Sequence, residues 1–383
     1  MEGTNSTPWW RKDTSVFAAL LALAATAFTA TYFISKSFGR KQDSLARHWL
    51  QQGDSDLKAG SPQKAAGEYR TALLYSHDNT DYRLRLAQAL AANGQTTQAI
   101  AYFLSLLDEQ PGNGLYNLEL ARLYSRLGDT RNAARYYNAA IYGAWSSNPA
   151  LARRGARTEF IQFLLNHNSQ TQAQAEAIIL ASGVSPNEIP ARLEAAKILL
   201  STGAYARAID EYASLLKNDT VPAALGAGQA AFQSGEFKSA VKFLNLALSH
   251  GANDPNAQAL LEKSKQVLDA DPNRRRIDAA ERARRVIQAY DTAGKRLQSC
   301  GKLKGQRLDS ATPATDLQKL YDQWSAANST VAYKILRDDP DLRDSVMELV
   351  SHIELTTAQT CGVPTGHDWA LLMLTRYGEG VEQ

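Results

Sequence analysis

The chain has 383 residues, 44% hydrophobic and 21% charged, with 42 Lys+Arg against 39 Asp+Glu, 24 glycines, 12 prolines and two cysteines. Apolar content this high, with Gly, Pro and Cys this low, excludes a disordered chain, a collagen-like one and a disulfide-dense secreted miniature. The length suits two or three packed units, and a net charge of +3 selects no partner class.

Residues 1–13 form a short amino-terminal tail carrying Arg11 and Lys12. Thr14 to Ser35 is then a run of 22 residues without a charge, long enough as a helix of about 33 Å to cross a bilayer's hydrocarbon core. The spacing predicts a transmembrane anchor over 14–35. Small-x-small triplets at Ala22–Ala24 and Ala25–Ala27 make a cleaved signal sequence the competing reading. Against cleavage, the apolar stretch runs on to Ile34 and is closed by Lys36, Arg40 and Lys41, the flank of an anchor. Counting Arg11 and Lys12 against Lys36, Arg40, Lys41 and Arg47 places the body in the cytoplasm. A short tail before a large body is instead the arrangement of an exported, signal-anchored protein. The expectation is a single-pass membrane protein with a periplasmic or otherwise extracytoplasmic body, a cytoplasmic body being the alternative. Ala18, Ala22, Thr26 and Ala30 recur every four residues, a stripe that either lets two such helices associate or reflects an alanine-rich composition. Residues 36–45 read as a linker.

From residue 46 a repeat organises the chain. Gly60, Gly94 and Gly128 are 34 residues apart, each followed five residues later by Ala65, Ala99 or Ala133 and four residues after that by Tyr69, Phe103 or Tyr137. The frame continues as Asn168, Ala173 and Ala177, then Gly203, Ala208 and Tyr212, then Gly235, Ala240 and Leu244. Each unit predicts a helical hairpin: a first helix, a left-handed turn at Gly or Asn, and a second helix brought close by the alanine. Breaks at Gln110-Pro111, Val221-Pro222 and Asp254-Pro255 separate the hairpins. Six hairpins followed by a capping helix over Asn256–Asp269 make an α-solenoid over 46–272, since no hairpin buries its apolar face alone.

Trp49, Gly53, Ala65 and Tyr69, then Leu86, Ala87, Ala99, Phe103 and Pro111, then Leu120, Ala121, Tyr124, Ala133 and Tyr137 resemble the tetratricopeptide repeat pattern W-x2-L-G-x2-Y, A-x3-F, P. The fourth unit is degenerate, with an insertion at Gly143–Pro149. The resemblance implies an all-α protein–protein interaction scaffold whose first helices line a concave groove for a peptide or protein ligand. Aligning the units puts Leu50, Leu84, Leu118, Thr158, Leu193 and Leu225 at one groove position and Asp54, Gln88, Arg122, Gln162, Lys197 and Gln229 one turn later. Arg85, Arg122 and Arg126 are placed to bond an acidic ligand. The family's carboxylate clamp is not expected, because Asp54, Leu50, Gln88 and Leu84 occupy its positions. The leucine row reads equally as packing between first helices.

Residues 273–383 form a carboxy-terminal helical domain, with breaks at Thr312-Pro313, Asp339-Pro340 and Val363-Pro364 predicting about four helices. Asn273 to Arg307 holds eleven bases and three acids, whereas Leu308 to Thr356 holds nine acids and four bases. Either the basic block binds an anionic polymer or lipid headgroups, or the two blocks are amphipathic helices whose opposite charges face each other or the solvent. Without interleaved aromatics it does not predict a nucleic-acid partner. Cys300 and Cys361 are disulfide candidates if the compartment is oxidising, and small buried side chains if it is reducing. His48, His77, His167, His250, His352 and His367 are scattered, and His367-Asp368 reads as a helix cap. No metal, cofactor or catalytic residue is expected. The reading is therefore a non-enzymatic, membrane-anchored scaffold in a membrane or cell-envelope assembly. Its rival is a polymer-binding or enzymatic carboxy-terminal domain recruited by the repeats.

Overall fold

The structure, a computed structural model, describes residues 10–309 and 314–378. Residues 1–9 and the expected break at Thr312-Pro313 lie outside the described residues. All named elements are helices, and the chain divides into two units, one up to Phe163 and one from Leu164.

The first unit opens on α1 (Trp10–Lys58), a single helix of 49 residues, about 74 Å long at 1.5 Å per residue. Residues 36–45, expected as a linker, are helical throughout. Gly39 is their one helix-weakening residue, and a lone glycine costs only about 1 kcal/mol. The uncharged run is exposed: Phe17, Leu21, Phe28 and Ile34 are each at least 67% accessible. A core helix would bury such residues, so this one is a candidate membrane span or a leader, with a mean hydropathy of 1.9. Its threonines are compatible with lipid because Thr26, Thr29 and Thr31 donate their hydroxyls to carbonyls three or four residues back.

The carboxy-terminal half of α1 pairs with α2 (Pro62–Tyr75) as the first hairpin. Next come α3 (Thr80–Ala92) with α4 (Thr96–Glu109), and α5 (Gly114–Arg126) with α6 (Thr130–Tyr142). The turn glycines Gly60, Gly94 and Gly128 adopt φ of +74° to +75°, the left-handed conformation the pattern requires. Ala65, Ala99 and Ala133 are fully buried at the hairpin crossings, and Tyr69 and Phe103 fill the space above them. Gly53 lies under Tyr69, where a Cβ would come 2.6 Å from the ring. The Tyr69 hydroxyl donates to Asp54 Oδ1 at 2.7 Å, so the ring cannot swing aside freely. Gly53→Val is therefore expected to destabilise the chain by about 1–3 kcal/mol. A urea midpoint equal to wild type would show that the ring yields without cost.

α7 (Pro149–Asn166) begins in the first unit and ends in the second, where α8 (Gln170–Ser182) follows. The boundary between the two units thus falls inside the degenerate repeat. The insertion at 143–149 lengthens the connection there, and contacts in an array run only between neighbours. Asn168 takes the glycine's place at φ +56°, which an Asn side chain tolerates better than most. α9 (Ile189–Ser201) pairs with α10 (Tyr205–Leu215), α11 (Thr220–Gln233) pairs with α12 (Phe237–Ser249), and α13 (Pro255–Ala270) caps them.

The remaining helices are α14 (Ala279–Leu303), α15 (Asp316–Ala327), α16 (Tyr333–Asp338), α17 (Pro340–Cys361) and α18 (Gly366–Tyr377). That is five among the described residues, against about four expected, because the chain also breaks at 328–332 without a proline or glycine. They share one core with the last repeat: Val286, Leu297, Val350, Ile353 and Leu372 cluster with Phe237 of α12 and Val267 of α13. Trp369 stacks on Phe232 at 6.2 Å, and Tyr377 meets Phe237 edge-on at 6.0 Å. Cys300 and Cys361 are joined in a disulfide between α14 and the end of α17, with Cα atoms 5.8 Å apart.

Candidate functional site

On the first helices of the first unit, the polar residues expected to meet a ligand are already bonded to one another. Asp54 of α1 accepts from Arg85 of α3 at 3.0 Å and from Tyr69 of α2 at 2.7 Å, and Asp81 lies 3.8 Å from the same guanidinium. Burial, then the bond to Asp54, pushes the Tyr69 phenol well above its usual range. One repeat on, Arg122 of α5 forms a fork onto Glu159 of α7 at 2.9 and 2.6 Å, and its remaining nitrogen donates to Glu119 at 2.9 Å. The Glu159 hydrogen bond, foremost, holds the Arg122 guanidinium firmly charged. Glu119 is 15% exposed, and burial raises its carboxyl despite Arg122 beside it. Arg126 donates to the carbonyl of Ala91 at 3.0 Å.

The arginines read as free hands for an acidic ligand thus tie neighbouring first helices together. The reason is local: acids one helical turn away, or on the next first helix, stand within reach, and a bidentate Arg–carboxylate fork satisfies both charges. Sequence reasoning missed Glu119 and Glu159. Their signal was the three-residue spacing of Glu119 and Arg122, and the position of Glu159 beside the aligned Thr158. A ligand on this face meets a row of ion pairs and gains only what exceeds them.

The apolar row divides. Leu118 is 6% exposed and belongs to the packing between helices, whereas Leu50 and Leu84 are half-buried. Gln88 is half-buried and Gln162 is exposed. In the second unit, Leu193 and Leu225 are half-buried, while Lys197 on α9 and Gln229 on α11 are exposed. Beside Lys197, Arg192 closes a pair with Glu211 at 2.6 Å.

In the carboxy-terminal region the two charged blocks do not zip together. α14 and α17 pack through Leu297, Cys300, Val350 and Ile353, and the ion pair Arg296–Glu354 joins the blocks across them. Four of the eleven bases of the block 273–307 serve the turn before α14 or its first turn. Arg274 pairs with Asp269, Arg284 and Arg285 pair with Glu281, and Arg282 donates to the carbonyl of Pro272. Arg285 also donates to the carbonyls of Leu268 and Asp271. Arg275, Arg276, Lys295, Lys302 and Lys304 are exposed.

Glu354 is wholly buried, 3.4 Å from Arg296, and neither carboxylate oxygen has a hydrogen-bond partner. Arg296 instead donates to Thr357 Oγ1 at 2.8 Å and to the carbonyl of Gly362 at 2.7 Å. Burial, then the charge of Asp368, raises the Glu354 carboxyl to about 8. Asp368, expected as a helix cap, is not one: Thr365 occupies that position, and Asp368 Oδ1 is buried without a partner. Burial raises the Asp368 carboxyl and lowers the His367 imidazole. No cluster of three or more metal-ligating side chains occurs among the described residues.

The fold and these faces define an all-α helical-repeat protein built to present side chains along stacked hairpins. Residues 50–114 and 191–258 match one tetratricopeptide repeat profile, and residues 116–142 match a second. Those stretches are tetratricopeptide repeats, helical hairpins that serve as protein–protein interaction scaffolds. It is 34% identical over 107 residues to a TPR repeat-containing thioredoxin, TTL4, of Arabidopsis thaliana, covering 26% of this chain and 16% of that one. It is 32% identical over 122 residues to the tetratricopeptide repeat and J domain-containing co-chaperone DNJ1 of Fusarium oxysporum, covering 31% and 23%. The chain therefore spans less than a quarter of the length of either relative. Among solved structures it is similar to Pseudomonas aeruginosa pilF, with TM-score 0.37, 15% identity and coverage of 58% of this chain and 99% of that one. It is also similar to the P58(IPK) TPR domain, with TM-score 0.27, 14% identity and coverage of 88% and 96%.

Proposed function

We propose that this chain is a membrane-anchored scaffold that recruits a protein or peptide ligand to a membrane or cell-envelope assembly, with no chemistry of its own. The observation that carries the reading is α1, one helix whose first half is exposed and apolar and whose second half is the opening helix of the first repeat. Span and scaffold are then continuous, and no flexible link separates the recruiting surface from the bilayer. In each unit a ligand lies along the first helices, over the half-buried Leu50 and Leu84 beside Gln88 and Gln162 in the first, and over Leu193 and Leu225 beside Lys197 and Gln229 in the second. The body is extracytoplasmic, a side favoured by the Cys300–Cys361 disulfide, since such bonds persist in oxidising compartments. Pairing through Ala18, Ala22, Thr26 and Ala30 brings two copies together.

Photo-crosslinkers placed at Gln88 and Gln229 of the full chain in its own membrane are expected to capture the same partner, and one at the exposed Gly67 of α2 none. Capture from Gly67 alone would remove the groove from the account. Release of the full chain by alkaline carbonate, or thiols labelled only after cell lysis, would remove the anchor or the extracytoplasmic body respectively.

A further inference from the structure

Residues 130–158 contain five arginines and no acidic residue. They form α6, the loop after it and the start of α7, all within the first unit. On α6, Arg131, Arg135 and Tyr142 stand on one face, four and seven residues apart, and all three are exposed, Tyr142 to 70%. At 1.5 Å per residue this stripe is about 17 Å long. α7 adds Arg153, exposed, and Leu151, 57% accessible.

Arg135 and Arg153 are held differently from the arginines on the first helices, where carboxylates close the guanidiniums off. Arg135 lies 4.5 Å over the Tyr136 ring and donates to its hydroxyl at 2.6 Å, while Tyr136 stacks on Tyr124 at 5.4 Å and 7°. Arg157 lies 5.8 Å over Tyr142, and Arg153 donates to the carbonyl of Gly143 at 3.2 Å. A guanidinium held over an aromatic ring has already lost much of its rotamer freedom. Its remaining N–H groups can still bond a carboxylate.

We infer that the outer face of α6, with Arg131, Arg135, Tyr142 and the adjoining Leu151 and Arg153, is a second docking surface, for an acidic segment of a partner protein. Charge complementarity selects an anionic occupant, because the stripe carries no acid of its own. The aromatic rings select among anions. Arg135 and Tyr124 cover Tyr136, which leaves Tyr142 as the one exposed ring of the stripe, too few for the successive stacked bases of a nucleic acid. Two accessible apolar side chains, Tyr142 and Leu151, suit an aliphatic residue between glutamates better than a bilayer, which would take up a broader apolar face. The surface lies away from the first-helix row and does not depend on a ligand binding there.

The test uses the full chain in neutral-lipid nanodiscs and a fluorescein-labelled peptide of eight glutamates interrupted by one leucine. Anisotropy is expected to report binding that weakens with salt, falls at least tenfold in the Arg131→Gln/Arg135→Gln double variant and severalfold in Tyr142→Ala. Arg275→Gln/Arg276→Gln, equally exposed and equally basic, is expected to leave it unchanged. Equal losses in the two double variants would reduce the effect to net charge and overturn the assignment. No loss in Arg131→Gln/Arg135→Gln, or tighter binding of an oligouridylate or of phosphatidylglycerol vesicles through the same arginines, would overturn it as well.

Discussion

Reduction of the Cys300–Cys361 bond is expected to lower the stability of the second unit by about 4 kcal/mol, the chain-entropy value for a loop of 61 residues. For a unit of this size that is a fall of about 10 °C in Tm. The loop it closes contains α15, α16 and α17, and the bond sits where α14 and α17 meet, beside Arg296 and its contacts with Thr357 and Gly362. Reduced chains must hold that junction by packing alone. Because α14, α17 and α18 share a core with α12 and α13, the loss should extend into the last repeat. Urea unfolding of the full chain with and without reductant, and of Cys300→Ala/Cys361→Ala, measures the effect. Coincident curves would mean that the reduced, unfolded loop is already as constrained as the oxidised one.

The second large effect is a dependence of stability on pH that runs opposite to ordinary acid denaturation. Glu354 has its carboxyl raised from 4.5 to about 8 by burial and the nearby charge of Asp368, with Arg296 opposing. Between those values the folded chain holds a proton that the unfolded chain has released. Stability from this group is complete below about 4.5 and is lost as pH rises through about 8, with a slope of up to about 1.4 kcal/mol per pH unit. Asp368, also raised, adds with the same sign. His367, lowered from 6.5, acts the other way on the acid side, so the fall is clearest above pH 6.5. Glu119 of the first unit is raised as well, and the Glu354→Gln difference therefore isolates the site better than the raw profile. Glu354→Gln is expected to flatten the decline in urea midpoint between pH 6.5 and 9. A variant as pH-dependent as wild type would place the titrating group elsewhere.

Much of the architecture was legible because repetition multiplies a weak signal. One glycine predicts little, but Gly60, Gly94 and Gly128 at equal spacing predict three left-handed turns, and each has positive φ. Ala65, Ala99, Ala133, Ala173, Ala208 and Ala240 were placed at hairpin crossings by position alone, and all are fully buried. Residues 36–45 were read as a linker between the span and the first repeat, but nothing there stops a helix. The groove arginines were misjudged for a different reason. Their partners Asp54 and Glu159 come 31 and 37 residues away, one repeat distant, and only the stacking of hairpins sets those distances.

By itself, the sequence determined the class of protein, the number and register of the hairpins, the turn residues, the exposed apolar run at the start and the two cysteines. Each depends on short-range chemistry: backbone conformations that glycine permits, alanine where helices cross, a run of side chains with no charge. Only the tertiary structure decided which charges face solvent and which are paired, that Glu354 lies buried near the half-buried Asp368, and that the carboxy-terminal helices complete the core of the last repeat. Burial and pairing depend on what arrives from elsewhere in the chain, and a carboxylate's environment cannot be read until the helices around it are in place.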